Sequence, residues 1–330
     1  MEKFQIPPQW YKYIKFTDEV LRDKDLNEYL ISNPFLHPTK PTFSRLNILK
    51  KLKNIYIFDF YKIQLKFYFY LLRTSLDICR HFFIYGIYNY HDYSKYKKGN
   101  YDLVFVSHLN NKKRFDTETD EYYGNLINYL SEHKKILLIL IPHCNFSKIK
   151  LKEFLEKKRR YDVHVFNQEY ADIKEKIKSI RAVLRERKKL LLLSKKSKGF
   201  ERNLLFFTGN SFLSPGNYSN LMNVIQLKEI LKIKNIKFII TTYEGFAWER
   251  LFFYHAHNSK IKCIGYQHTL IFKYQHSLTR CLSNGYDPDL ILCSGDISAE
   301  QLKNKIDTQK IAIKVLGSPK GYKIFNNQIS

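Results

Sequence analysis

The chain is short of cysteine, glycine and acidic side chains, and each shortage excludes something. Five cysteines are scattered over 330 residues (Cys79, Cys144, Cys263, Cys281, Cys293), and no two form a CxxC pair. An odd number at wide spacing argues against a disulfide framework or a structural zinc cluster and fits a reducing compartment. The 12 glycines nowhere form GxGxxG or GxxxxGK[ST], and HExxH and GxSxG are missing as well. The usual nucleotide cradles and hydrolase elbows are thereby excluded. No window reaches the about 18 apolar residues of a membrane span. The opening MEKFQIPPQWYKYIKF lacks the apolar core of a signal peptide, so a cytoplasmic location is expected. Acidic residues number 31 against 56 Lys and Arg, a net charge of +25. Such an excess favours anionic lipid, phosphorylated substrates or nucleic acid as partners. No nucleic-acid-binding motif interleaves the lysines, which disfavours the last.

What is present is an ordered chain: 44% of residues are hydrophobic and 16% aromatic. Its length holds one large or two ordinary domains. The aromatics are nearly all Tyr and Phe beside abundant Lys, Ile and Asn, a bias that AT-rich codons produce as readily as function does. Residues 1–100 form a helical, basic and aromatic-rich region. Over Ile55–Tyr90, Phe58, Tyr61, Leu65, Tyr68 and Leu72 recur at intervals of three and four, with Lys62, Lys66, Arg73 and Arg80 among them. Such a helix either lies on an anionic membrane surface or caps the core of the next domain.

From Tyr101 apolar runs alternate with helix-period stretches. Leu103–Val106, Ile136–Ile141, Val163–Phe166, Leu204–Phe207, Phe238–Ile240, Ile261–Gly265, Leu290–Leu292 and Ile311–Leu316 read as strands. Helices are expected over Asp120–His133, Lys148–Lys158, Ala171–Leu193 and Ser219–Leu231. The fold class is therefore α/β, with a Rossmann-like, mainly parallel sheet covered on both faces.

Sheets of this kind bind ligands at the carboxyl ends of their strands. Two expected strand tips carry chemistry: Glu244 follows Ile236–Ile240, and Gln267-His268 follows Ile261–Tyr266. A carboxylate and an imidazole on one rim suit acid–base work, so Glu244 and His268 are the candidate catalytic residues. Glu244 could equally cap the helix that follows, and His268 could simply hydrogen-bond in a loop. On that helix Trp248, Leu251, Phe252 and His255 share one side, with Glu249 and Arg250 turned off it. Glu249 is expected to orient a neighbour or pair with Arg250. His108, closing the first strand, is a candidate for the substrate cleft. Gly209 and Asn210, after the expected Leu204–Phe207 strand, would bring backbone amides near a ligand. No Asp-x-Asp stands at a strand end, so no metal is expected; Asp287-Pro-Asp289 precedes a strand instead.

Three blocks, in order, resemble bacterial surface-carbohydrate biosynthesis proteins of the GT-B glycosyltransferase type. They are Phe105-Val-Ser-His-Leu-Asn-Asn with Asp120-Glu-Tyr-Tyr-Gly-Asn-Leu, then Tyr243-Glu-Gly-Phe-Ala-Trp-Glu-Arg, then Ile264-Gly-Tyr-Gln-His-Thr. Tyr286-Asp-Pro-Asp-Leu-Ile-Leu-Cys-Ser-Gly and Val315-Leu-Gly-Ser-Pro-Lys complete the third. The resemblance implies a Rossmann-like acceptor-side domain over 101–320, with 321–330 beginning a linker to a donor-side second domain that is missing. It implies transfer of a sugar from a nucleotide-sugar co-substrate to a glycan or lipid-linked acceptor of cell-surface polysaccharide or lipopolysaccharide. No further cofactor is implied, and His108, Gly209, Asn210, Glu249, Arg250 and Gln267 would contact substrate around Glu244 and His268. Such a protein would sit loosely on the inner membrane and be inactive alone. The alternative is a non-catalytic basic α/β module holding an anionic glycan, a membrane surface or nucleic acid.

Overall fold

Seven strands form one all-parallel sheet in the order β3-β2-β1-β4-β5-β6-β7. They are β1 (Leu103–Leu109), β2 (Ile136–Pro142), β3 (Asp162–Val165), β4 (Phe238–Thr242), β5 (Lys262–Gln267), β6 (Leu290–Cys293) and β7 (Ala312–Val315). The computed structural model describes residues 6–22, 26–85, 99–110, 119–143, 148–167 and 171–319. The chain builds β1, β2 and β3 outward in one direction, then returns to pair β4 with the other side of β1. Connections after β1 and β4 therefore leave in opposite directions, which opens a crevice at their carboxyl ends.

The strands read as continuous apolar runs because both faces are buried. Alternate residues serve opposite layers: Val104, Val106, Leu137, Ile139 and Ile239 face one core, and Phe105, Leu109, Leu138, Leu140 and Ile240 face the other. The second layer is covered by α5 (Leu126–Leu130) and α6 (Lys148–Glu156), through Ile127 and Phe154. The first is covered by α7 (Ile173–Lys196), α8 (Gly199–Asn210), α9 (Pro215–Ile230) and α10 (Ala247–Asn258), with α11 (Asp296–Lys303) at the sheet's end.

The N-terminal region adds α1 (Pro8–Leu21), α2 (Glu28–Ile31), α3 (Phe43–Lys53) and α4 (Ile57–Tyr85) to that same layer. Trp10, Tyr13, Leu36, Leu49, Leu52 and Phe67 enter the first core. Polar ties fix the docking. Asn33 Nδ2 donates to the Thr208 carbonyl at 3.1 Å, and Asn217 Nδ2 donates to Ser32 Oγ at 2.7 Å. The segment Pro38–Lys40 reaches the sheet edge, where the Ser277 and His276 N–H groups donate to the Pro38 and Thr39 carbonyls at 2.9 and 3.1 Å.

Seven of the expected strands are present, usually a residue or two longer than the apolar run that marks them. The eighth is a correction: Leu204–Phe207 lies inside α8, not in a strand. A four-residue apolar run fits a buried helix turn as well as a strand. Its buried neighbours Asn203, Leu204, Leu205 and Thr208 follow the helical spacing that packing against α7 selects. Asp120–His133 is mostly a turn closed by an Asp120–Gly124 bridge, and only Leu126–Leu130 is helical. The helix expected over Ile55–Tyr90 runs Ile57–Tyr85, and residues 86–90 lie outside the described residues, as do the linker expected at 321–330 and Cys144. Among the described residues no helix is long and apolar enough to cross a membrane.

Candidate active site

The carboxyl edge of β1, β2, β4 and β5 encloses a cavity of about 390 Å³, and each strand contributes to its wall. From β1 come His108 and Asn110, from β2 His143, from β4 Thr242 and Glu244, and from β5 His268. Tyr122, Phe246 and Trp248 supply the apolar surface between them. The cavity lies at the crevice that the strand order dictates.

Glu244 and His268 meet here, with Glu244 Oε1 at 3.9 Å from His268 Nε2. Thr269 Oγ1 donates to the same carboxylate oxygen at 3.4 Å. Burial pushes the Glu244 carboxyl above its ordinary range, and the positive charge of Lys40 pulls it partly back. Lys40 itself lies 4.9 Å from the Phe272 ring centroid, on the N-terminal segment that docks against this edge. Across the cavity, His143 Nε2 and His108 Nδ1 are 2.8 Å apart, and His108 Nε2 lies 3.3 Å from Thr242 Oγ1. One facing nitrogen must donate and the other accept, so a single proton lies in the hydrogen bond between the two rings. Burial lowers the His143 pKa. The Tyr122 ring stands edge-on between the two groups, 5.5 Å from the His108 centroid and 4.7 Å from that of His268. Asn110 Nδ2 steadies it with a 2.8 Å bond to the phenol oxygen. Trp248 closes the floor 5.1 Å from His108.

The backbone that carries Glu244 is clamped by a second carboxylate. Glu249 is fully buried and accepts the Glu244 N–H at 3.0 and 3.1 Å and the Phe246 N–H at 2.8 Å. Phe246 is the N-cap of α10 and Glu249 its third helical residue, so this is half of a capping box. Phe246 has no side-chain acceptor to complete it. Burial drives the Glu249 carboxyl well above its usual range, against the pull of those N–H donors. Gly245, between clamp and cavity, has φ +79, and a Cβ there would collide with the Ser277 backbone.

Several of the expected site residues lie outside the cavity lining. Glu249 and Arg250 do not turn away from the packed side of their helix; both are fully buried, because α10 is covered on all sides. Arg250 Nη2 donates to the Ser277 and Arg280 carbonyls at 2.6 and 2.7 Å, and Arg250 pairs with Asp287, so it holds the 277–287 loop. Gln267 is buried and its amide donates to the Thr269 carbonyl, shaping the loop after His268. Gly209 and Asn210 are not a loop at the rim. They end α8, where Asn210 Oδ1 accepts from Arg187 of α7 at 3.0 Å and Gly209 lies against Leu191. His143 and Trp248 are wall residues that strand-tip reasoning did not assign, and Lys40 is a charge that acts on Glu244 from outside the lining. His143 stands one residue past β2, so the same rule that marked Glu244 and His268 reaches it. Lys40 has no local signal, because tertiary docking brings it there.

Among the described residues one cluster has metal-ligand chemistry: His257, Cys263 and Asp289. It lies at the amino edge of β5 and β6, away from the cavity. Its groups bind one another, with Asp289 Oδ2 taking the Cys263 N–H at 2.6 Å and lying 3.0 Å from His257 Nε2, which makes it a brace between α10 and the sheet. A larger open cavity, 580 Å³, lies along α7 beside Tyr29 and has no comparable convergence of acid and base groups.

Comparison with protein-family models, curated proteins and solved structures finds no match to this chain.

Proposed function

We propose that the chain is a glycosyltransferase-like protein of GT-B type whose carboxyl-edge cavity binds the acceptor, with Glu244 as general base. The observation that carries the reading is a carboxylate with a raised pKa, inside a cavity at the sheet's switch point, 3.9 Å from an imidazole. In the reaction, Glu244 takes the proton of an acceptor hydroxyl, and that oxygen attacks the anomeric carbon of a nucleotide-sugar. The bond from anomeric carbon to phosphate oxygen breaks, and the nucleoside diphosphate leaves with the electron pair. A base near neutrality suits the first step, and donors aimed at the departing phosphate suit the second. His268 and the His108–His143 pair share the cavity with the base and supply such donors, while the charge of Lys40 acts on the base from outside the lining. The order of the three sequence blocks supports a cell-surface glycan as product and a cytoplasmic site of action.

Trp248 lines the cavity and Trp10, the other tryptophan, is buried elsewhere, so fluorescence reports on this site. Titration with nucleotide-sugars and glycan acceptors should quench Trp248 saturably, and Trp248→Phe should abolish the response. A panel of activated sugars and surface-glycan fragments that leaves the emission unchanged would sink the reading.

A second reading, a non-catalytic module holding an anionic glycan, is favoured by α7. Lys174, Lys178, Arg181 and Arg185 line one side of the 580 Å³ cavity. Glycan binding that is lost on reversing these charges, with Glu244→Gln inert, would favour it.

A further inference from the structure

Helix α4 leaves one long face uncovered among the described residues. At 100° per residue its side chains fall into three rows. Phe67, Thr74 and His81, seven residues apart, are buried against α7 and α8. Phe58, Tyr61, Leu65, Phe69, Leu72, Leu76 and Phe83 form the opposite row and face outward, with Leu65 70% and Phe83 85% exposed. The third row, on one flank between them, is Lys62, Lys66, Arg73 and Arg80, all exposed. The apolar ridge runs about 38 Å at 1.5 Å per residue. An exposed ridge of that length on a folded protein marks an interaction surface. Capping the core explains the buried row and leaves the outward one unexplained.

The charge pattern selects the occupant. α4 carries two acids, and neither is on the ridge. Asp59 is half-buried and accepts the Tyr56 N–H at 3.1 Å, and Asp77, half-buried, is tied to Tyr218 at 2.7 Å and Lys176 at 3.7 Å. The exposed Lys50, Lys51 and Lys53 at the end of α3 lead directly into the helix. Tyr and Phe on the ridge are the side chains that settle at a bilayer's polar–apolar boundary, and the lysine and arginine stems on the flank reach up to headgroups. A second copy packed on this ridge would bring the basic row no anionic partner, since the exposed ridge carries no acid. A surface of anionic lipid matches both the apolar ridge and the basic row.

We propose that α4 lies in the plane of an anionic membrane surface, its apolar ridge inserted at the headgroup boundary and its basic row on lipid phosphates. This inference is independent of the chemistry assigned to the cavity. The test is co-sedimentation of the full chain with vesicles of pure phosphatidylcholine or with roughly one-third phosphatidylglycerol, at low and high salt. Binding to the anionic vesicles should be at least tenfold tighter, and the difference should shrink at high salt as screening removes attraction to the headgroups. The pair Leu65→Glu and Leu72→Glu should lower anionic-vesicle binding at least tenfold, and Lys62→Glu with Lys66→Glu should remove most of the anionic preference. All four positions are exposed, and an unchanged circular dichroism melt confirms that the variants fold. Equal binding to both vesicles, or self-association abolished by the Leu65/Leu72 changes without vesicle binding, overturns the proposal. Free inorganic phosphate that competes as well as vesicles bind would overturn it too, since it would reduce the row to a simple anion site.

Discussion

Two glutamates five residues apart have opposite jobs because their surroundings differ. Glu249 is wholly enclosed and spends both oxygens on backbone N–H groups, so it is a positioning residue. Replacing it by Ala leaves those donors buried without acceptors, and should cost roughly 2–3 kcal/mol in urea denaturation. Arg250→Ala should cost more, about 3–5 kcal/mol, since it strands Asp287 in the interior. Glu244 keeps its carboxyl in the cavity. Its folded pKa is raised by burial, so the folded state holds the proton more tightly than the unfolded chain. Stability from that source is complete below the ordinary carboxyl pKa and is lost as pH rises through the folded value. Activity has the opposite slope, because the base must be ionised. Glu244→Gln should therefore be at least as stable as the parent at pH 8, by thermal melting, while transferring far more slowly. A Gln variant clearly less stable at pH 8 would show that the carboxylate is structural.

At the scale of elements, the site depends on how β4 hands over to α10. Tyr243 extends the pairing with its N–H to the Tyr266 carbonyl at 2.9 Å, and the chain then turns at Gly245. Gly245→Ala meets both a left-handed φ and the Ser277 backbone, so it should destabilise by roughly 2 kcal/mol or more and displace Glu244. Gly265→Ala should be milder only in that its φ is not left-handed; its Cβ would still meet Tyr243 Cβ and Cγ at 2.8 Å, which ring rotation does not relieve. Comparing Trp248 emission and urea midpoints of the two variants checks this order. The seven strands were legible from sequence because strands buried on both faces must be apolar throughout. The tips were legible because a parallel sheet puts its ligand edge at strand ends, which is how Glu244, His268 and His108 were found. Leu204–Phe207 was misread because a short apolar run has no period of its own, and packing of α8 on α7 decided it. Gly209 and Asn210 moved away from the site with it. Arg250 was legible as charged but not as buried, since its partners Ser277, Arg280 and Asp287 lie about 30 residues downstream.

At the scale of the whole molecule, the N-terminal helices are locked to the sheet layer by the Glu28 carboxylate as well as by the core. Lys228 is its cationic partner and His255, whose pKa burial lowers, a hydrogen-bonding one. Glu28 of α2 lies 2.7 Å from His255 of α10 and 3.1 Å from Lys228 of α9. Burial would raise its pKa, but His255 and Lys228 outweigh burial and hold it at about 2, below the ordinary 4.5. The sign follows: this stabilisation is complete above pH 4.5 and disappears as pH falls through about 2. Glu28→Gln should lose roughly 1–3 kcal/mol at pH 7 and almost nothing near pH 2, measured by denaturant midpoints across pH. A loss independent of pH would mean that shape, not charge, joins the two regions. The same docking brings the charge of Lys40 to bear on Glu244 and leaves the ridge of α4 outward.

The most direct test of the central claim is transfer from radiolabelled nucleotide-sugars to cell-surface glycan and lipid-linked acceptors, comparing the parent chain with Glu244→Gln. Where the parent transfers sugar, its rate should rise with pH through the raised pKa of Glu244, and acceptor should quench Trp248 whether or not transfer follows. The Gln variant should be slower by roughly 10²–10⁴-fold, the usual worth of a general base, with Trp248 quenching by acceptor retained. Transfer at the parent rate by Glu244→Gln, or Trp248 emission indifferent to every acceptor, would contradict the account.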